Sequence, residues 1–158
     1  MTAKDLIELL DLKPLPQEGG YYRETYRSAV PGPDGKSAGT AIYYLLTPDT
    51  CSALHRLPTD EVYHFYLGDP VELLLFGPQG GQVVLLGTDL RAGQRPQFVV
   101  PAGTWQGSCL VRGGAFALMG TTMSPGFEFS DYEAADRAAL LRQYPAFAER
   151  ITFLTDQS

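Results

Sequence analysis

His55-Arg56-Leu57-Pro58-Thr59-Asp60-Glu61-Val62-Tyr63-His64-Phe65-Tyr66-Leu67-Gly68 is the stretch that decides the fold, together with Pro101-Ala102-Gly103-Thr104-Trp105-Gln106 downstream. The first stretch predicts a hairpin of two strands around Pro58-Thr59-Asp60, and it contains both histidines of the chain. Side chains alternate across a strand, so Ala53, His55 and Leu57 share one face of the first strand. On the second strand, Glu61, Tyr63, Phe65 and Leu67 share one face, and Val62, His64 and Tyr66 share the other. His64 and Glu61 are therefore expected on opposite faces unless a bulge reverses the register.

The same pattern continues outward. The 17 glycines and 12 prolines are spread through the chain, with short β-branched, aromatic or apolar runs between them. That spacing predicts antiparallel strands joined by tight turns. The strands are placed at 20–28, 40–47, 52–57, 61–67, 72–76, 82–86, 97–100, 104–111 and 115–122. Helix is predicted only at the two ends. Residues 2–11 have Thr2 as cap and Leu6, Leu9 and Leu10 on one face, and the helix is stopped by Pro14 and Pro16. A second helix is capped by Ser130 or Asp131 and runs to about Tyr144. The expectation is one all-β domain over residues 1–158, a sandwich or barrel with short terminal helices.

Twelve basic residues against 18 acidic ones leave a net charge of −6. That balance argues against a nucleic-acid partner and against a polybasic membrane contact. No apolar run approaches the roughly 20 residues of a membrane-spanning helix. Met1–Asp5 does not resemble a signal peptide, so the cytoplasm is the expected compartment. Cys51 and Cys109 form no CxxC pair and read as two free thiols. Gly77-Pro78-Gln79-Gly80-Gly81 joins two strands and reads as a hairpin turn, not a phosphate loop.

These motifs resemble the cupin superfamily. His55, Glu61 and Gly68 fall on the first His, the Glu and the closing Gly of its first motif, with six residues between Glu61 and Gly68. Pro101, Gly103 and Gln106 fall on the second motif. Leu57 stands at the second His position, Gln106 at the third, and the leading Gly is missing. Longer blocks resemble one branch, the cupin-5 or DUF985 family. They are Glu18–Arg27, Ala41–Leu46, Asp60–Pro70, Val100–Gln106 and Ser124–Phe129. The resemblance implies a double-stranded β-helix jelly roll and a homodimer, and it supplies no settled reaction.

Within that frame His55, Glu61 and Tyr63 are the candidate catalytic residues: His55 as base, Glu61 orienting it and Tyr63 as acid. Gln106, Arg23, Tyr44 and His64 are candidates for ligand binding, Arg23 because a guanidinium receives a carboxylate or phosphate. Against these stand plainer readings: tyrosines are good strand formers, and His64 packs among aromatics on the far face. His55, Glu61 and Gln106 are what remains of a metal site, a reduced set expected to hold a divalent metal weakly at most. No firmly bound cofactor is expected. The expected partner is a small molecule. Three functions stay open: a metal-independent isomerase or epimerase acting on a sugar or similar metabolite, a non-catalytic ligand-binding or sensing protein, and a metal-dependent oxygenase.

Overall fold

The computed structural model describes residues 1–155. Helix α1 (Ala3–Leu9) begins at Thr2, whose hydroxyl accepts from Asp5 N while the Asp5 carboxylate accepts from Thr2 N. This reciprocal cap satisfies two of the free donors of the first turn. The strands follow: β1 (Lys13–Pro14), β2 (Tyr21–Arg27), β3 (Thr40–Leu46), β4 (Ser52–Arg56), β5 (Glu61–Gly68), β6 (Val71–Gly77), β7 (Gly80–Leu86), β8 (Gln97–Val100), β9 (Trp105–Leu110), β10 (Ala117–Met123) and β11 (Glu133–Ala134). Helices α2 (Arg137–Gln143) and α3 (Ala148–Thr155) close the described chain. Among the described residues no helix is long and apolar enough to cross a membrane.

The strands form two antiparallel sheets, in the orders β1-β2-β3-β10-β5-β8 and β11-β4-β9-β6-β7. This is the all-β jelly roll that the sequence predicts. Tyr44, Leu46, Tyr63, Phe65, Val71, Leu73 and Leu75 meet in one buried cluster between the sheets. The alternate residues Leu74 and Phe76 of β6 point outward and pack with Leu140, Ile151 and Leu154 under α2 and α3. Both faces of β6 are thus covered, which explains why its sequence, Val71-Glu72-Leu73-Leu74-Leu75-Phe76, is almost continuously apolar. Helix α1 covers the outer face of the first sheet, where Leu6 and Leu12 pack on Leu45 and Leu118.

The C-terminal region departs from the expectation. Phe129–Asp131 is a single 3-10 turn, and Glu133 and Ala134 pair with Arg56 and His55 on β4. The Arg56 guanidinium donates to both oxygens of Glu133, at 2.7 and 2.9 Å, and this tie holds the segment extended. Helix α2 is capped instead by Asp136, whose side chain accepts from Ala139 N at 2.8 Å. Pro145 ends that helix, but the chain turns through residues 145–147 and starts α3, which the sequence reading did not place.

Two irregularities matter for the site. In β5 the register against β10 shifts between Phe65 and Leu67, past His64. In β4 the register against β9 shifts between Ser52 and His55. The second is a β-bulge, and it changes which side chains enter the interior.

Candidate functional site

The turn Pro16-Gln17-Glu18-Gly19-Gly20 connects β1 to β2 and is pressed onto β4. Glu18 O accepts from Ala53 N at 2.8 Å. Gly19 has φ +100, and a Cβ there would collide with the Cys51 carbonyl oxygen. Only glycine fits both the conformation and the space. This close approach carries the Glu18 carboxylate in between the sheets. Ser52 Oγ donates to Glu18 Oε2 at 2.9 Å, and His55 Nε2 lies 3.4 Å from Glu18 Oε1. Ser52 and His55 are three residues apart, and a regular strand would put them on opposite faces. The bulge between them turns both inward.

His55 is fully buried. Its ring stacks on Tyr132, with centroids 4.9 Å apart and planes at 16°. Nδ1 sits 2.7 Å from Ala53 O, and because a carbonyl only accepts, Nδ1 carries a proton. Nε2 has no hydrogen-bond partner among the described residues, and its contact with Glu18 is an ion pair only when the ring holds both protons.

Beside this pair runs a second buried chain. Tyr63 Oη donates to Gln106 Oε1 at 2.8 Å, and Gln106 Nε2 donates to Glu61 Oε1 at 3.0 Å. Glu61 is pushed up to about 7, first by burial and then by the negative Glu18. His55, Thr121 and Gln106 pull it the other way. Tyr63 is raised well above the usual phenol range by burial and by Glu61 and Glu18. Tyr44, raised by burial and Glu18, donates its hydroxyl to Gly19 O at 2.7 Å.

A cavity of about 340 Å³ opens in front of these groups. Buried Tyr44, Glu61 and Tyr63, with Glu18 and Thr121, line its inner end. Exposed Lys13 and Glu24 line its outer end, with Tyr22, Phe127 and Phe129 along the wall. Three sequence-predicted residues therefore face the cavity, Tyr44, Glu61 and Tyr63, whereas Arg23 borders its rim with the guanidinium turned to the outer face, 5.6 Å from the centre of the Tyr43 ring. His55 and Gln106 do not face it; they stand behind Glu18 and Glu61 as supports. His64 points to the outer face of the first sheet, where Nε2 is 2.9 Å from Thr122 Oγ1. The β5 bulge falls beyond His64 and so leaves it there. Glu18, Ser52, Thr121 and Tyr132 were not among the sequence-predicted residues. The one available signal for Glu18 was the Glu-Gly-Gly turn ahead of a strand.

The remnant metal set, His55, Glu61 and Gln106, does not fit a transition metal. The Gln106 amide oxygen, its ligating atom, accepts from Tyr63, and its nitrogen faces Glu61. Leu57 puts an aliphatic side chain where a second imidazole would stand. Among the described residues, no group of three or more His, Cys, Asp or Glu is placed to hold a metal ion.

Two facing sheets around a cavity of a size that accepts a small molecule define a cupin-type pocket protein. The chain belongs to the DUF985 branch of this superfamily: the model described as "Cupin superfamily (DUF985)" matches residues 4–135. Helices α2 and α3 lie beyond that match. An uncharacterized protein of Saccharomyces cerevisiae, YML079W, is 31% identical over 134 residues, covering 73% of this chain and 67% of the yeast protein. Protein SO0799 of Shewanella oneidensis superposes with a TM-score of 0.90 at 37% identity, with 98% of each chain covered. A hypothetical protein from Leishmania major gives 0.88 at 35%, also with 98% of each chain covered. Oxalate decarboxylase shares the fold alone, with a TM-score of 0.56 at 14% identity. The match covers 94% of this chain and 39% of that one.

Proposed function

We propose that this cupin binds a small polar metabolite, a sugar or a related hydroxyl-rich carbonyl compound, and isomerises or epimerises it by proton transfer through Glu61. The supporting observation is a buried carboxyl that faces the cavity and is raised to about 7. A group poised there can take a proton from carbon beside a carbonyl and return it with little mismatch at neutral pH. Glu18 and the Gln106–Tyr63 chain set that poise. His55, shielded from the cavity by Glu18, is a positioning residue and not the base. Lys13 at the outer end, 3.5 Å from Asp11, offers one cation to a carboxylate or phosphate on the same molecule.

The test uses sugars and sugar nucleotides in deuterated water, with solvent deuterium entering the carbon next to the carbonyl as the readout. Wild type is expected to exchange, and Glu61→Gln to lose about 10²–10⁴-fold. Undiminished exchange in Glu61→Gln overturns the role of Glu61.

A second reading, a binding protein without chemistry, has its own support. The hydroxyl protons of Tyr63 and Tyr44 are committed to Gln106 and to Gly19 O, which leaves neither phenol free to act as an acid opposite Glu61. In that case a ligand raises the melting temperature yet is recovered unchanged after prolonged incubation.

A further inference from the structure

The β4–β9 ladder pairs Ser52 with Ser108. One step outward along both antiparallel strands places Cys51 opposite Cys109. Directly opposed residues in such a ladder have Cα atoms about 4.5–5.5 Å apart. A disulfide spans about 4.4–6.8 Å between Cα atoms, so the backbone already holds the two residues at bridging distance. Both are free thiols, and each perturbs the other's titration. They lie on the outer face of the second sheet, where Cys51 belongs to the cluster under α2 and α3 and Cys109 packs against it. Cys51 is buried, whereas half-buried Cys109 lines a separate cavity of about 310 Å³ with Glu72, Arg150 and Leu154.

We propose that Cys51 and Cys109 are a peroxide-oxidisable dithiol, with Cys109 the attacking and Cys51 the resolving thiol. Access assigns the roles: the cavity reaches Cys109 and stops short of Cys51. The local charges agree. Interaction with Cys51 lowers the Cys109 thiol, with help from Arg150 and against burial and Glu72. Interaction with Cys109, then burial, raises the Cys51 thiol.

The reaction balances with a hydroperoxide as oxidant. Cys109 sulfur attacks the outer peroxide oxygen, the O–O bond breaks, and the alcohol (water, from hydrogen peroxide) leaves with the thiol proton. Cys109 is then a sulfenic acid. Cys51 sulfur displaces that hydroxyl, an S–S bond forms, and water departs with the Cys51 proton. Two thiols lose two electrons and one peroxide gains them.

The test takes the full chain purified under reductant, removes the reductant, adds hydrogen peroxide, then unfolds and alkylates. The expected result is loss of both alkylatable thiols, a mass lower by two hydrogen atoms, and a peptide map linking Cys51 to Cys109 within one chain, all reversed by dithiothreitol. Cys51→Ser is expected to stop at a Cys109 sulfenic acid that dimedone traps. The wild-type peptide map decides without any variant. Two thiols still alkylatable, over-oxidation of Cys109 beside unmodified Cys51, or a bridge between two copies each overturn the proposal.

Discussion

Glu18 Oε1 stands 3.4 Å from His55 Nε2, between two residues that lie far apart in sequence. The contact depends on the bulge in β4, which turns His55 and Ser52 inward together, and on Gly19, which lets the preceding turn touch β4. It also places a carboxylate charge beside Glu61, so the poise of the cavity-facing carboxyl is set partly by a residue outside the cupin motifs.

Glu18→Gln tests that influence. The Glu18 charge is the second cause raising Glu61, after burial. Neutralising it is expected to bring Glu61 below 7 while burial keeps it above 4.5. Carbon-13 NMR titration of the Glu61 carboxyl reads the shift. An unchanged midpoint would refute electrostatic coupling between the two carboxylates.

Glu61 also imposes a pH dependence on stability. Its folded-state value, about 7, is above the ordinary 4.5, so the folded state holds this proton more tightly than the unfolded state. The stabilisation is fully present below pH 4.5 and is lost as pH rises toward 7. It amounts to roughly 3 kcal/mol over that window. Glu61→Gln removes this contribution to the slope. Urea unfolding at pH 5 and pH 8 measures it, and equal slopes in wild type and variant would count against the raised carboxyl.

Tyr63→Phe removes a buried donor and leaves Gln106 Oε1 without its phenol partner. The expected cost is about 1–3 kcal/mol, from chemical denaturation of both proteins. Gln106 would also lose the bond that fixes its orientation toward Glu61, so the Glu61 titration midpoint should move. A variant as stable as wild type with the same midpoint would show that the chain does not order the site.

Ile151→Ala probes the C-terminal helices. Ile151, on α3, is fully buried against the outer face of the second sheet. The loss of its side chain is expected to cost about 2–5 kcal/mol. A cost well below that range would mean the helices contribute little to the folded state.

The sequence by itself determined the nine longer strands and the alternation along β5, but β4 and β5, expected as one hairpin, lie in different sheets, and the short β1 and β11 were not foreseen. Period-two alternation is local, so Glu61 and Tyr63 inward and His64 outward follow from residues 61–65 alone. The jelly roll itself was implied by the resemblance to the cupin motifs, whose closing Gly68, at φ +106, ends β5 where side chains are rarely tolerated. The tertiary structure decided what alternation cannot carry. A bulge arises from pairing with a distant strand, so the inward turn of Ser52 and His55 is invisible in residues 52–55. Glu18 becomes a site residue only when its turn packs on β4, and Asp136, not Asp131, caps α2 because Arg56 holds Glu133 in an edge strand. The opposition of Cys51 and Cys109 likewise exists only in the β4–β9 register. In each case the deciding contact joins segments separated along the chain, and local side-chain chemistry does not specify such partners.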